Sequence, residues 1–176
     1  MEWQQLIMDI FERISQELEG VLDGLTVDEI NQQPRPDCNS IGWLAWHLTR
    51  SHDRNMSEVM GKEQLWISDG WHAKFNRPAN PAETGVGHSS EEAAAFKAPD
   101  SNTLLEYHQA ILERIQDYVN NTLSETELKR ESVSPTFGNV NPVRRRLAGV
   151  IWDGLQHVGQ AAYVRGLLKG KGWLDR

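Results

Sequence analysis

The chain has 176 residues, a formal net charge of −7 and one cysteine. This length suits one domain over residues 1–176, and the acidic balance argues against a nucleic-acid partner, because phosphate contacts need a basic face. With one cysteine, no membrane-length apolar run and no signal-peptide pattern at the start, we expect a cytoplasmic protein without a membrane partner.

The first half of the chain contains two long helical patterns. Apolar residues recur at steps of three and four over residues 3–22, which predicts the first long helix. A short helix is predicted at 26–30, where Thr26 and Glu29 have the spacing of a capping box. The second long helix is predicted over residues 40–60.

The second half begins with a connection that is unusually long. Residues 61–98 are irregular and rich in aromatic residues, and we expect this segment to be ordered and packed on the helices. Aromatic residues left exposed there would favour a homodimer. A third long helix is predicted over 101–119, a short acidic helical turn at 124–127, a second irregular connection at 133–142 and the last long helix over 142–169.

Four long helices with long connections predict an all-α protein, namely a four-helix bundle that contains crossovers. Bundle cores build metal sites from side chains that project inward from facing helices. The polar residues on the apolar faces of these helices are therefore the first candidates for function.

Asp153 and His157 lie four residues apart in the last predicted helix. Such a pair occupies one helical face, one turn apart. This pattern is also typical of a simple hydrogen-bonded pair. Alternatively, the two side chains can bind one metal ion if another part of the chain supplies a third ligand. His47, at the edge of the apolar stripe of the second long helix, is the best candidate. Two histidines and one carboxylate with an open position form a known catalytic arrangement for zinc and for non-haem iron.

The remaining histidines are weaker candidates for metal ligands. His52 points away from His47 on the same helix and, with Asp53, is expected at the polar surface or as a support for the ligands. His72 and His88 fall in the aromatic connection, where exposed side chains are expected. His108 is mid-helix and is interpreted as structural.

Three of the seven tryptophans lie within about one helical turn of the candidate ligands. Trp43, Trp46 and Trp152 either pack in the core or form an apolar wall around a substrate pocket, and the sequence leaves both alternatives open. The basic run at residues 144–146 is expected to be a solvated helix face.

These segments resemble the DinB-like superfamily of metalloenzymes, which includes mycothiol-dependent maleylpyruvate isomerase and thiol-dependent S-transferases. The resemblance covers nearly the whole chain. It rests on His47 in segment 40–48 and on segment 153–168, where His157 is followed by Gly159 and Gln160. The commonest family pattern has histidine where this chain has Asp153, whereas the isomerase branch has glutamate. Aspartate is one methylene shorter, so direct coordination and a water-bridged contact are alternatives.

The resemblance implies an up-down-down-up bundle and a divalent metal, zinc or nickel, bound by His47, Asp153 and His157. It further implies a thiol-dependent S-transferase or isomerase acting on a small-molecule substrate with a low-molecular-weight thiol such as mycothiol or bacillithiol. The alternative is a non-catalytic metal-binding or stress-response bundle that acts through partner binding.

Overall fold

The computed structural model describes residues 2–170. Four long helices dominate the described chain, and five short helices and a small hairpin lie between them. In chain order the elements are α1 (Glu2–Leu22), α2 (Val27–Asn31), α3 (Ile41–Met60), α4 (Leu65–Ser68), α5 (Trp71–Lys74), α6 (Ser90–Ala95), α7 (Ser101–Asn121), α8 (Glu125–Lys129), β1 (Glu131–Val133), β2 (Val140–Pro142) and α9 (Val143–Lys169). None of the helices in this range is long and apolar enough to cross a membrane.

The long helices α1, α3, α7 and α9 form a four-helix bundle, as predicted. The most extensive contacts join α3 to α9, and α1 packs on both α7 and α9, while α3 also packs on α7. Helices α1 and α3 therefore lie at opposite corners, as do α7 and α9. The connections from α1 to α3 and from α7 to α9 therefore join diagonal helices, which requires long segments rather than short hairpin turns. The longest connection, over residues 61–98, instead joins α3 to its neighbour α7.

Local signals set the helix ends. Thr26 and Glu29 form the predicted capping box at the start of α2. The Ser40 side chain accepts a hydrogen bond from the Trp43 amide and so begins α3. Side-chain caps of this kind satisfy amides that have no partner within the helix.

The connection after α3 packs its aromatic side chains inward. Trp66, Phe75 and Phe96 are all buried, and the Trp71 ring stacks on Tyr107 of α7 at a centroid distance of 5.0 Å. The expected packing of this segment on the bundle is confirmed. Because these rings form no exposed patch, the reason given above for expecting a homodimer is removed.

Asp53 anchors this connection to α3. Its carboxylate accepts hydrogen bonds from the backbone amides of Leu65 and Trp66 at 2.9 and 2.8 Å and from the Tyr107 hydroxyl at 2.6 Å. The Arg50 guanidinium lies 3.2 Å from Asp53, and both side chains are fully buried. The expectation that Asp53 lies at the polar surface is wrong, because the connection folds back over it and supplies its hydrogen-bond donors.

The second irregular connection contains an antiparallel hairpin, in which Ser132 of β1 pairs with Asn141 of β2. Arg146 lies against this hairpin and donates to the Ser132 and Asn139 carbonyls at 3.2 Å each. Arg146 is buried, whereas Arg144 and Arg145 are exposed. The prediction of a solvated helix face at residues 144–146 is therefore confirmed for Arg144 and Arg145 and is wrong for Arg146.

Candidate metal centre

Helices α3 and α9 bring His47, Asp153 and His157 together. Each residue offers one ligand atom, and these atoms lie within 4.8 Å of one another. The extensive packing of α3 on α9 is what places His47 opposite the pair on α9. The group lies between the helices, and His47 is the most buried of the three.

A backbone carbonyl orients the His47 ring. Nδ1 lies 2.5 Å from the Thr84 carbonyl oxygen, and because a carbonyl can only accept, Nδ1 carries the proton. This leaves Nε2 with a free lone pair, the usual arrangement for a metal-binding histidine. The Trp43 ring stacks on the His47 ring at a centroid distance of 4.7 Å.

Gly85 allows the carbonyl of Thr84 to approach. Gly85 has a φ of +86°, and a Cβ atom there would lie 2.7 Å from the Trp43 ring and 3.1 Å from His47 Nδ1. Glycine is the residue that tolerates both the left-handed backbone and the close contact. No sequence pattern indicates this role, because it depends on how residues 84–85 fold back onto α3.

His157 has a comparable arrangement on α9. Its Nδ1 lies 2.7 Å from Oε1 of Gln160, one turn further along the helix. Its Nε2 lies 3.4 Å from Oδ1 of Asp153. In both histidines, therefore, an oxygen acceptor engages Nδ1 and leaves Nε2 for the space that the three residues share.

Asp153 contributes the negative charge of the group. Its Oδ2 is buried and accepts no hydrogen bond from the described residues, although a buried carboxylate oxygen normally has a partner. A cation in the shared space would supply that partner. Two neutral imidazole nitrogens and one carboxylate oxygen form a donor set that suits zinc and similar divalent ions.

The electrostatics of the three residues are coupled. Burial lowers the pKa of His47 and outweighs the opposing hydrogen bond to Thr84. Burial acts in the same direction on His157, but the neighbouring Asp153 and Gln160 outweigh it and raise the pKa of His157. Burial alone would raise the pKa of Asp153, yet the adjacent His157 lowers it. The carboxylate is therefore ionised at neutral pH, as a metal ligand must be.

A cavity of about 300 Å³, called here the metal-side cavity, is lined by two of the three residues, His47 and Asp153. Its lining includes His47, Asp153, Arg54, Arg145, Arg146 and Trp152. Small molecules in this cavity would therefore lie beside His47 and Asp153, whereas His157 is not part of its lining.

The three candidate tryptophans occupy different places. Trp152 is 65% exposed and lies at the edge of the metal-side cavity. Trp43 and Trp46 are buried, and they pack behind His47 rather than among the residues that line this cavity. Trp43 also donates from Nε1 to Nδ1 of His88 at 3.2 Å.

The other histidines do not join the group. His52 is buried rather than at the surface, and its ring meets Phe11 edge to face at 5.5 Å. His108 is also buried, with Nδ1 at 3.3 Å from the Thr49 hydroxyl, which agrees with its structural interpretation. His72 and His88 are half-buried and not exposed as expected, because aromatic side chains pack against both rings.

Comparison with known proteins identifies the family. Residues 10–161 match the family model of the DinB superfamily. The chain belongs to the DinB superfamily. The resemblance recognised from His47 and the α9 motif is confirmed, and the match spans most of the bundle, including all three candidate ligands.

The solved structures that are similar to this chain include one from Enterococcus faecalis and one from Bacillus subtilis. The crystal structure of a conserved protein from Enterococcus faecalis superposes with a TM-score of 0.83 at 30% identity, over 95% of this chain and 97% of that chain. YfiT from Bacillus subtilis superposes with a TM-score of 0.65 at 16% identity, over 93% of this chain and 86% of YfiT. YfiT is described as a probable metal-dependent hydrolase with an unusual four-helix bundle topology. No curated protein matches the chain.

Proposed function

We propose that this protein is a divalent-metal-dependent enzyme in which His47, Asp153 and His157 hold the ion. The observation that carries the proposal is the convergence of the three ligand atoms within 4.8 Å of one another, beside a cavity that His47 and Asp153 line. Structural metal sites are closed by protein ligands, whereas catalytic sites keep one position open.

The residues around the ligands hold the site in shape. Thr84 and Gln160 fix the proton of each imidazole on Nδ1, so that both Nε2 atoms would be free to bind a metal ion. Asp153 offsets part of the charge of a divalent ion. The buried rings of Trp43 and Trp46 shield the back of the site from water, which strengthens electrostatic interactions there.

The chemistry we favour is thiol transfer or isomerisation with a low-molecular-weight thiol. A divalent ion bound here supplies Lewis acidity, which favours deprotonation of a thiol or a water molecule in its open position. The metal-side cavity admits such a molecule from solvent, and the exposed face of Trp152 offers an apolar surface at its edge for an electrophilic substrate. Zinc or nickel and a thiol such as mycothiol or bacillithiol remain our proposed cofactors.

A second candidate function is hydrolysis at the same centre. Polar side chains line much of the metal-side cavity, including Ser51, Asn55 and Asn141, and such a lining suits a water nucleophile as well as a thiol. The description of YfiT as a probable metal-dependent hydrolase points in the same direction.

Metal analysis of the purified protein tests the ligand assignment. Protein prepared without added metal should carry about one divalent ion per chain, and a His157→Ala variant should carry almost none. A His72→Ala variant is the matched control, because His72 lies on α5 and outside the candidate group, and it should keep the wild-type metal content. Equal metal content in both variants would show that the ligands are wrongly assigned.

Titration calorimetry of the metal-loaded protein with mycothiol and bacillithiol separates the chemical alternatives. Binding of a thiol that disappears in His47→Ala supports the thiol-dependent class. Absence of thiol binding, together with metal-dependent cleavage of activated ester or amide substrates, favours hydrolysis. If neither occurs while metal remains bound, the non-catalytic metal-binding or stress-response bundle acting through partner binding is the better account.

A further inference from the structure

The metal-side cavity has an excess of positive charge. Three arginines line it, Arg54, Arg145 and Arg146, whereas Asp153 is the single acidic residue in its lining. This contrasts with the whole chain, whose formal net charge is −7. The charge around the cavity is therefore locally opposite to that of the protein as a whole.

The buried carboxylate of Glu58 forms ion pairs with two of these arginines. Oε2 of Glu58 lies 3.4 Å from Arg54 and 3.3 Å from Arg146, and the Glu58 side chain is 3% exposed. Two guanidinium groups share one carboxylate, so this cluster keeps one unit of positive charge. Metal binding by Asp153 would leave no acidic side chain in the lining to balance it.

Arg54 has hydrogen-bonding capacity that the described residues do not use. It is 9% exposed, and its Nε is buried without a hydrogen-bond partner in residues 2–170. The guanidinium also lies over the Phe137 ring at 4.6 Å, which holds it in place at the cavity. A buried donor of this kind is costly unless a hydrogen-bond partner satisfies it, and Arg54 is one of the residues that line the cavity.

Arg145 adds an exposed charge at the rim. Its side chain is accessible to solvent, and it forms no ion pair within the described part of the chain. Arg145 belongs to the first turn of α9, which begins at Val143 without a hydrogen bond from a capping side chain in the described range. The positive end of a 27-residue helix dipole therefore lies at the same side of the cavity and also favours an anion.

We infer that the metal-side cavity binds a small molecule carrying a carboxylate or phosphate group, an inference that rests on the proposed function because this cavity opens onto His47 and Asp153. Arg145 and Arg54 bind the anionic group, since guanidinium groups match the geometry of both oxyanions. The reactive part of the same molecule then reaches the metal centre. A cavity of about 300 Å³ limits the bound portion to a small molecule, at the lower end of the usual range of ligand sites.

Calorimetric titration of the zinc-loaded chain with succinate, inorganic phosphate and neutral succinamide tests the inference. Succinate or phosphate should bind, and succinamide should bind at least about tenfold more weakly, as expected for loss of a charge-assisted hydrogen bond. The relative affinities of succinate and phosphate identify which oxyanion the cavity prefers. Equal affinity for succinate and succinamide, or no binding of either anion, would overturn the inference.

A pair of neighbouring arginines provides the matched control. Arg145→Gln should weaken binding of the preferred anion at least about tenfold, while Arg144→Gln, also exposed but outside the cavity lining, should leave it unchanged. Both variants should keep the wild-type zinc content and melting temperature. If anions bind to the metal alone, Arg145→Gln will match Arg144→Gln, which overturns the inference but leaves the proposed metal enzyme intact. Loss of zinc from the wild-type protein itself would instead count against the proposed function.

Discussion

His47 and His157 meet edge to face, with their ring centroids 4.6 Å apart. They come from different helices, and each has an oxygen acceptor at Nδ1 that belongs to a different part of the chain. The acceptor for His157 is a side chain on its own helix, whereas the acceptor for His47 is a backbone carbonyl in the long connection. The geometry of the candidate centre therefore depends on the connection as well as on the helices.

Gly85→Ala should weaken metal binding without removing a ligand. The new Cβ would clash with Trp43 and approach His47 Nδ1, which displaces the Thr84 carbonyl. Loss of such a supporting contact typically lowers metal affinity about 10- to 100-fold. Competition with a chromophoric zinc chelator measures the effect.

Gly87→Ala is the control for backbone strain. Gly87 also has a positive φ, +81°, but nothing lies within 4 Å of the position that an alanine Cβ would occupy there. If both variants lose affinity equally, strain in the connection rather than displacement of Thr84 is responsible.

Asp53→Asn should destabilise the fold by about 3–5 kcal/mol, because it leaves the Arg50 charge buried without its partner. The amide group would also face the backbone donors of Leu65 and Trp66. Urea unfolding measures the change, and Asp69→Asn, at an exposed position, should stay within about 0.5 kcal/mol of wild type. Similar stability of the two variants would contradict the central role of Asp53.

Gly154→Ala should destabilise the packing of α9 on its neighbours α1 and α3. A Cβ at Gly154 would lie 2.6 Å from Nε2 of the buried His52 and 3.0 Å from Ile14. The space around Gly159, on the same helix, is open, so Gly159→Ala should stabilise the protein by about 0.5–1 kcal/mol through the higher helix propensity of alanine. Thermal unfolding of the two variants should therefore shift in opposite directions, and a shift in the same direction would refute the close contact.

Acid should destabilise the protein in part through His108. Burial lowers the pKa of His108 to about 3, well below its value in the unfolded chain. Between these two values the unfolded state binds a proton that the folded state does not, so stability falls as the pH decreases. In this pH range, the loss in the free energy of unfolding that is due to His108 approaches about 1.4 kcal/mol per pH unit.

His108→Gln removes this contribution. Urea unfolding of the metal-free protein between about pH 7.5 and about pH 4 should show a shallower loss of stability in the variant than in wild type. His72→Gln, at a half-buried position on α5, is the control for the replacement of a histidine by glutamine at another site. Parallel pH profiles for wild type and His108→Gln would show that His108 does not titrate in this way.

Helical periodicity was sufficient to predict the bundle. The predicted segments 3–22 and 142–169 differ from α1 and α9 by one residue at the start. The i, i+4 spacing of Asp153 and His157 predicted their proximity, because a helix fixes the geometry of residues one turn apart. His47 was chosen as the third candidate because it lies at the edge of the apolar stripe of its own helix, and the resemblance to the superfamily supported that choice, since no local spacing connects His47 to α9.

The supporting contacts could not be predicted from the sequence. Asp53 and Arg146 are polar residues whose burial depends on segments that fold back over them, and neither helix periodicity nor charge patterning shows such contacts. The hairpin was missed because strands of three residues are too short for an alternating pattern. The acceptor at Thr84 is a backbone atom, for which side-chain identity provides no signal.

One part of the wall of the metal-side cavity comes from the connections and not from the helices that carry the candidate ligands. His47, Asp153 and His157 all project from long helices, whereas Val86 comes from the connection after α3, and Asn139 and Asn141 come from the hairpin region before α9. Insertions and substitutions in these two connections would reshape the entrance while the helices keep the ligands in position. Within this bundle, the shape and chemistry of the cavity can thus change without any change in the three candidate ligands.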